Sequence, residues 1–192
     1  MRSKKLSRMI KVALLGAIAM ILMYFRFPLP FAPSFMDIDI SEVPAIIAGF
    51  TFGPLYAFIV VVIKLLLKLM QGTTTAGVGE LSNLVVSSAL VVTASFIYKR
   101  NKTFKNAIFS LFVGVVLMSV LAAVSNYYVI FPLFGINMAE FAKGMSKINP
   151  LVNNVPTFLM FSIVPFNVIK GILNGIIAMT LYKPLGPILN KK

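Results

Sequence analysis

Residues 107–130 read AIFSLFVGVVLMSVLAAVSNYYVI, with no charged side chain from Ala107 to Ile130. About 20 consecutive apolar residues are what a helix needs to cross the hydrocarbon of a bilayer. A barrel strand would instead alternate apolar and polar residues over about ten positions. The rest of the chain shares this character: it is 59% hydrophobic and 12% charged, with a mean hydropathy of +0.94. Soluble domains carry about 25% charged residues. Hydrocarbon offers no partner to backbone N–H and C=O groups, so continuous apolar runs must satisfy them within a helix. The expected fold class is an all-α membrane protein forming a single domain over residues 1–192.

Working outward, five further spans are predicted. They are Met9 to Phe25, Val43 to Phe52, Pro54 to Met70, Leu81 to Tyr98 and Pro165 to Tyr182. Val43 to Phe52 is short for a straight crossing. Phe27 to Ile40, rich in proline and aromatics, and Gly72 to Gly79, rich in glycine and threonine, read as loops. Within Ile136 to Val164, Met138 to Lys147 suits an interfacial helix. Pro165 is expected to separate Phe158 onward from the last span. The basic start followed by an apolar run mimics a signal peptide. However, no small-residue cleavage site follows between Tyr24 and Pro30, so an uncleaved first helix is expected.

Charge sets the expected orientation. With six spans and a cytoplasmic start, the inner side holds Arg2, Lys4, Lys5, Arg8, Lys11, Lys99, Arg100, Lys102, Lys105, Lys183, Lys191 and Lys192, and the outer side Arg26, Lys143 and Lys147. That asymmetry follows the positive-inside rule, and five spans would place a basic cluster outside. Both termini are therefore expected in the cytoplasm of a multi-pass cell-membrane protein. The outer loops fall at about residues 26–41, 71–80 and 131–164. The acids Asp37, Asp39, Glu42, Glu80 and Glu140 all fall on the outer side. The net charge of +13 is dispersed over helix ends rather than gathered on one face, which argues against nucleic acid.

There is no cysteine and no histidine, which removes disulfides, thiolate metal sites and the commonest general base. No P-loop is present, so the chain itself does not hold ATP that way, and no catalytic set is visible. Binding or transport remains, without enzymatic activity or a cofactor. Asn167, Lys170 and Asn174 share one helix face. An ionisable residue within a span is a functional-site hypothesis by default. Lys170 either snorkels to the interface or serves a polar pocket, and the asparagines favour the pocket. Lys64 and Lys68 are expected to snorkel. Asn126 reaches the depth of Asn167, as a pocket group or in an interhelical hydrogen bond. Glu80 and Asn83 lie one turn apart, with Glu80 suited to a helix N-terminus. Ala13 and Ala17, with Gly16 beside them, and Gly171 and Gly175 have the spacing of close helix contacts, within the protein or with a partner.

The chain resembles the riboflavin-specific S components, of the RibU type, of energy-coupling factor vitamin transporters. The resemblance rests on Ala13 and Ala17, Asp39-Ile40-Ser41-Glu42-Val43-Pro44, Phe52-Gly53-Pro54, Asn126-Tyr127, and Pro165-Phe166-Asn167 with Lys170-Gly171. It implies a six-helix bundle with a vitamin pocket near the extracellular face, capped by the first long loop. It also implies association with a transmembrane T component and two ATPases, docking through Ala13 and Ala17, and transport by toppling of the whole subunit.

On that reading the ligand-binding set is Asn126, Asn167, Lys170, Asn174, Glu42 and Glu80, with Ile38, Ile40 and Val78 as apolar walls. An asparagine amide offers donor and acceptor to the carbonyl and imide edge of riboflavin, and Lys170 offers donors only. Whether flavin mononucleotide is also carried stays open. A stand-alone secondary transporter and a purely structural membrane subunit are the alternatives.

Overall fold

The computed structural model describes residues 2–33 and 35–190; Lys191 and Lys192, counted above among the inner basic residues, lie outside them. Helix α1 covers Arg2–Leu22, α2 Val43–Phe52, α3 Pro54–Met70 and α4 Val78–Arg100. Helix α5 runs over Phe104–Phe134 and contains a π turn at Asn126–Ile130. Helix α6 is Met138–Met145. Helix α7 starts at Val155, passes a π turn at Leu159–Ile163 and continues over Val164–Asn190. The loop after α1 carries a small antiparallel ladder, β1 (Phe27–Pro28) with β2 (Asp37–Ile38), in the register Phe27 to Ile38 and Pro28 to Asp37.

Helix α2 is at the centre, packed by α1, α3, α4 and α7. Every residue from Val43 to Phe50 is buried, as expected of a helix that is apolar all round. It turns into α3 through Gly53 alone, whose φ of 107° is left-handed territory that glycine enters freely. Helix α5 packs between α4 and α7. A Cβ on Gly114 would meet Leu90 O at 2.9 Å, and one on Gly171 would meet Val115 Cγ2 at 2.7 Å. The glycines thus set the close approach of α5 to both neighbours, as the spacing of Gly171 and Gly175 predicted. Gly16 likewise lies against Ile63 of α3, while Ala13 on α1 is exposed and Ala17 half-buried.

Among the described residues, three helices are long and apolar enough by length and composition to span a membrane: Val78–Arg100, Phe104–Phe134 and Val155–Gly186. Phe109, Phe112, Val116, Val120 and Val124 of α5 point outward as an exposed apolar stripe. Lys11 Nζ donates to Leu189 O at 2.9 Å, which brings α1 and the end of α7 together. Near the α2–α3 turn, Phe50 stacks on Tyr98 and both meet Tyr182 edge-on, closing that end of the bundle.

Pro165 does not separate two segments, contrary to expectation. A proline lacks the N–H that would bond the carbonyl four residues back. Here the π turn ends two residues before it, and the orphaned Phe161 carbonyl accepts the Asn149 side-chain amide at 3.1 Å. The helix therefore continues back to Val155, where Asn154 and Thr157 form a capping box. Pro132 follows the π turn of α5 in the same way. Between residues 131 and 164 the chain is partly helical, and Met138–Met145 falls where an interfacial helix is expected.

Candidate ligand-binding site

The two π turns of α5 and α7 lie beside a small cavity of about 90 Å³. Ligand clefts are commonly about 300–1,000 Å³, so a ligand of that size would also take in the adjoining cavity of about 280 Å³. Asn126, Asn167 and Lys170 line the smaller cavity together, with Asp37, Ser82 and Asn83 as further polar groups. Asn126 Nδ2 donates to Ala122 O and Asn167 Nδ2 to Ile163 O, each at 2.8 Å and each one turn back along its own helix. Those bonds fix both amides and use one N–H apiece. Each amide retains its oxygen and a second N–H for hydrogen bonding.

The apolar walls are Phe35, Met36, Val86, Ile130, Phe134 and Phe166. Ile38, Ile40 and Val78, expected as walls, do not line the cavity. Ile38 is buried with Ala32 and Phe166, and Ile40 packs on the main core. The wall residues had a signal in the sequence: Asn126, Ile130 and Phe134 recur every four positions. Gly79, Asn83 and Val86 likewise share a face of α4. Phe35 and Met36 had no periodic signal, because they sit on an irregular loop.

A second, more polar cavity adjoins the first and shares Phe35, Asp37, Gly79 and Asn83 with it. Arg26, Asp39, Lys68, Thr75 and Glu80 are among its other lining residues. Glu80 sits in the first turn of α4 and accepts from Thr73 Oγ1 at 2.9 Å and Thr75 Oγ1 at 3.1 Å, which organises the threonine loop. Arg26 bridges to Asp37 at 3.4 Å.

Behind the first cavity lies a buried charge cluster. Lys170 Nζ donates to Asp39 Oδ2 at 2.9 Å and lies 3.8 Å from Glu42 Oε1. Lys64 Nζ holds both Glu42 oxygens at 2.9 and 3.0 Å and donates to Ser41 Oγ at 3.0 Å. Ser87 Oγ donates to Glu42 Oε1 at 2.7 Å and lies 3.0 Å from the Asn83 amide, which connects the cluster to the cavity wall. Asn174 does not line the cavity. Its amide donates to the carbonyls of Asp39 and Lys170, and its oxygen accepts from Glu42 N–H at 3.1 Å. It thereby satisfies the non-helical backbone leading into α2, which burial would otherwise leave unpaired.

Lys64 is a correction to the sequence expectation. It does not snorkel; it is 0% exposed and paired with Glu42. Asp39 and Glu42 likewise sit inside the protein rather than at its outer edge. The signal was in the sequence: Glu42 and Lys64 stand equally far on either side of Gly53, so an antiparallel hairpin turning there brings them level. The Asp39 carboxylate is held by the Lys170 ammonium and by the Ser41 backbone N–H, each at 2.9 Å.

Residues 7–182 match the family model described as "ECF transporter, substrate-specific component". The chain is 34% identical over 186 residues to the riboflavin transporter RibU of Staphylococcus aureus (strain TCH60), covering 96% of this chain and 93% of that one. It is 31% identical over 185 residues to the riboflavin transporter FmnP of Bacillus subtilis (strain 168), covering 95% and 94%. A solved structure described as the S component of a bacterial ECF transporter superposes with a TM-score of 0.76 at 32% identity, covering 100% of both chains. The matched span takes in the π-bent helices, the Gly53 hairpin and the charged cluster alike, and the chain belongs to the substrate-specific components of ECF transporters.

Proposed function

We propose that this chain binds riboflavin at the extracellular side of the cell membrane and delivers it for ATP-driven uptake by a T component and two ATPase subunits. The observation that carries this is the convergence of Asn126, Asn167 and Lys170 on one cavity with aromatic and aliphatic walls. A flat heteroaromatic ring buries its faces against such walls. Its edge of alternating carbonyls and imide N–H suits two fixed amides and an ammonium. Each neutral hydrogen bond contributes about 1 kcal/mol, so ring burial supplies the larger share. The named riboflavin transporters among its relatives support the same ligand.

Six crossings with both termini cytoplasmic suit this arrangement. Lys11 of α1 meets the C-terminal end of α7, and basic residues flank the ends of α1, α4 and α7 in the sequence as the positive-inside rule asks. Helix α2 spans only about 15 Å at 1.5 Å per residue. The buried coil from Asp39 to Glu42 completes its crossing, tolerated because Asn174 satisfies its backbone. The outward face of α1 that bears Ala13 is free within the chain and suits the T component. The adjoining cavity sets Arg26 and Lys68 against Asp37, Asp39 and Glu80. That lining suits ribityl hydroxyls better than a phosphate, so flavin mononucleotide binds more weakly. A stand-alone ion-coupled transporter would want a free buried carboxylate, whereas Asp39 and Glu42 each hold an ammonium.

Riboflavin added to detergent-purified protein is expected to lose its fluorescence on binding. Absence of quenching at micromolar concentrations overturns the proposal. Uptake that persists without any ATPase partner would favour the ion-coupled alternative.

A further inference from the structure

We infer that Lys64, which lines neither of the two cavities described above, is a positioning residue for Lys170: by occupying Glu42 it leaves the Lys170 ammonium on Asp39 and at the cavity wall. This rests on the flavin reading above. Asp39, Glu42, Lys64 and Lys170 form a neutral buried set of two carboxylates and two ammonium groups. Glu42 is 0% exposed and must have a cationic partner. Two ammonium groups compete for it. Lys64 holds both of its oxygens within 3.0 Å, and Lys170 stands just beyond hydrogen-bonding distance at 3.8 Å.

Without Lys64, the Ser87 hydroxyl at 2.7 Å is the remaining side-chain donor to Glu42. An uncompensated carboxylate in a low-dielectric interior draws the nearest cation. That cation is Lys170, which is only 5% exposed and lines the cavity. Turning it toward Glu42 withdraws a donor from the ligand and leaves Asp39 with Ser41 but without its ammonium. Asn174 cannot compensate, because its amide is already committed to the backbone of Asp39, Lys170 and Glu42. Ligand affinity therefore depends on a residue that the ligand does not reach, through charge balance.

The test is riboflavin quenching with monodisperse wild type, Lys64→Met, Lys170→Met, the Lys64→Met/Lys170→Met double variant and the charge-neutral Glu42→Gln/Lys64→Met variant. Lys64→Met is expected to lose affinity by about tenfold or more, while Glu42→Gln/Lys64→Met returns to within about threefold of wild type. With Lys170 already replaced, adding Lys64→Met changes affinity by less than about twofold. Additive losses, unchanged affinity in Lys64→Met, or no recovery in the charge-neutral variant overturn the inference. If Lys64→Met alone does not yield folded protein, the charge-neutral variant is compared with Glu42→Gln. Tighter binding by the former supports the inference, and the reverse order overturns it. A wild type that fails to quench overturns the flavin reading itself, which none of these outcomes resembles.

Discussion

Asn149, on the connection between α6 and α7, donates its side-chain amide to the Phe161 carbonyl at 3.1 Å, in place of the N–H that Pro165 lacks. Asn149→Ala leaves that carbonyl unpaired, at a cost of about 1–3 kcal/mol. A fall in the thermal midpoint of purified protein is the expected result. In a Pro165→Ala background the new N–H competes for the same carbonyl, so Asn149→Ala costs less there. Equal losses in both backgrounds would show that the amide does not substitute for the missing donor.

Asn126 and Asn167 are held by matching bonds to carbonyls one turn back. Replacing either with leucine removes both the fixed acceptor and its free donor, and riboflavin binding should weaken by about 1–3 kcal/mol, or about 5- to 150-fold. Leu81→Ala, on an exposed position of α4 outside either cavity, should leave affinity unchanged. Isothermal titration with both variants checks the contrast.

Gly114 sets the approach of α5 to α4, where an added Cβ would meet the backbone oxygen of Leu90 rather than a movable side-chain tip. Gly114→Val should destabilise by about 1–3 kcal/mol through overpacking. Gly144, with open space around its missing Cβ, should accept alanine with little change. Comparative thermal denaturation of the two variants tests this.

Much of this architecture was legible in the sequence because apolar run length and glycine punctuation fix helix existence directly. Val43–Phe52 and Pro54–Met70 appear with the expected limits, divided by Gly53. Asn126, Asn167 and Lys170 were legible for a different reason: polar groups stand out in a chain this apolar, and all three face one cavity. What escaped was what depends on distant partners. Pro165 reads as a helix stop unless Asn149 is known to cover Phe161. Lys64 reads as a snorkelling lysine unless Glu42 is known to lie level with it. Asn174 belongs with the polar face of α7, yet its task is to hold up a stretch of coil, which helix periodicity cannot reveal.

The single-residue apex at Gly53 has a consequence for distance. Helix α2 rises about 15 Å from it, roughly half of a hydrocarbon layer about 30 Å thick. In the six-crossing arrangement the remaining outer stretch falls to the coil from Asp39 to Glu42, whose first residue holds Lys170. A guest seated beside Lys170 thus takes up room that a longer α2 would have filled.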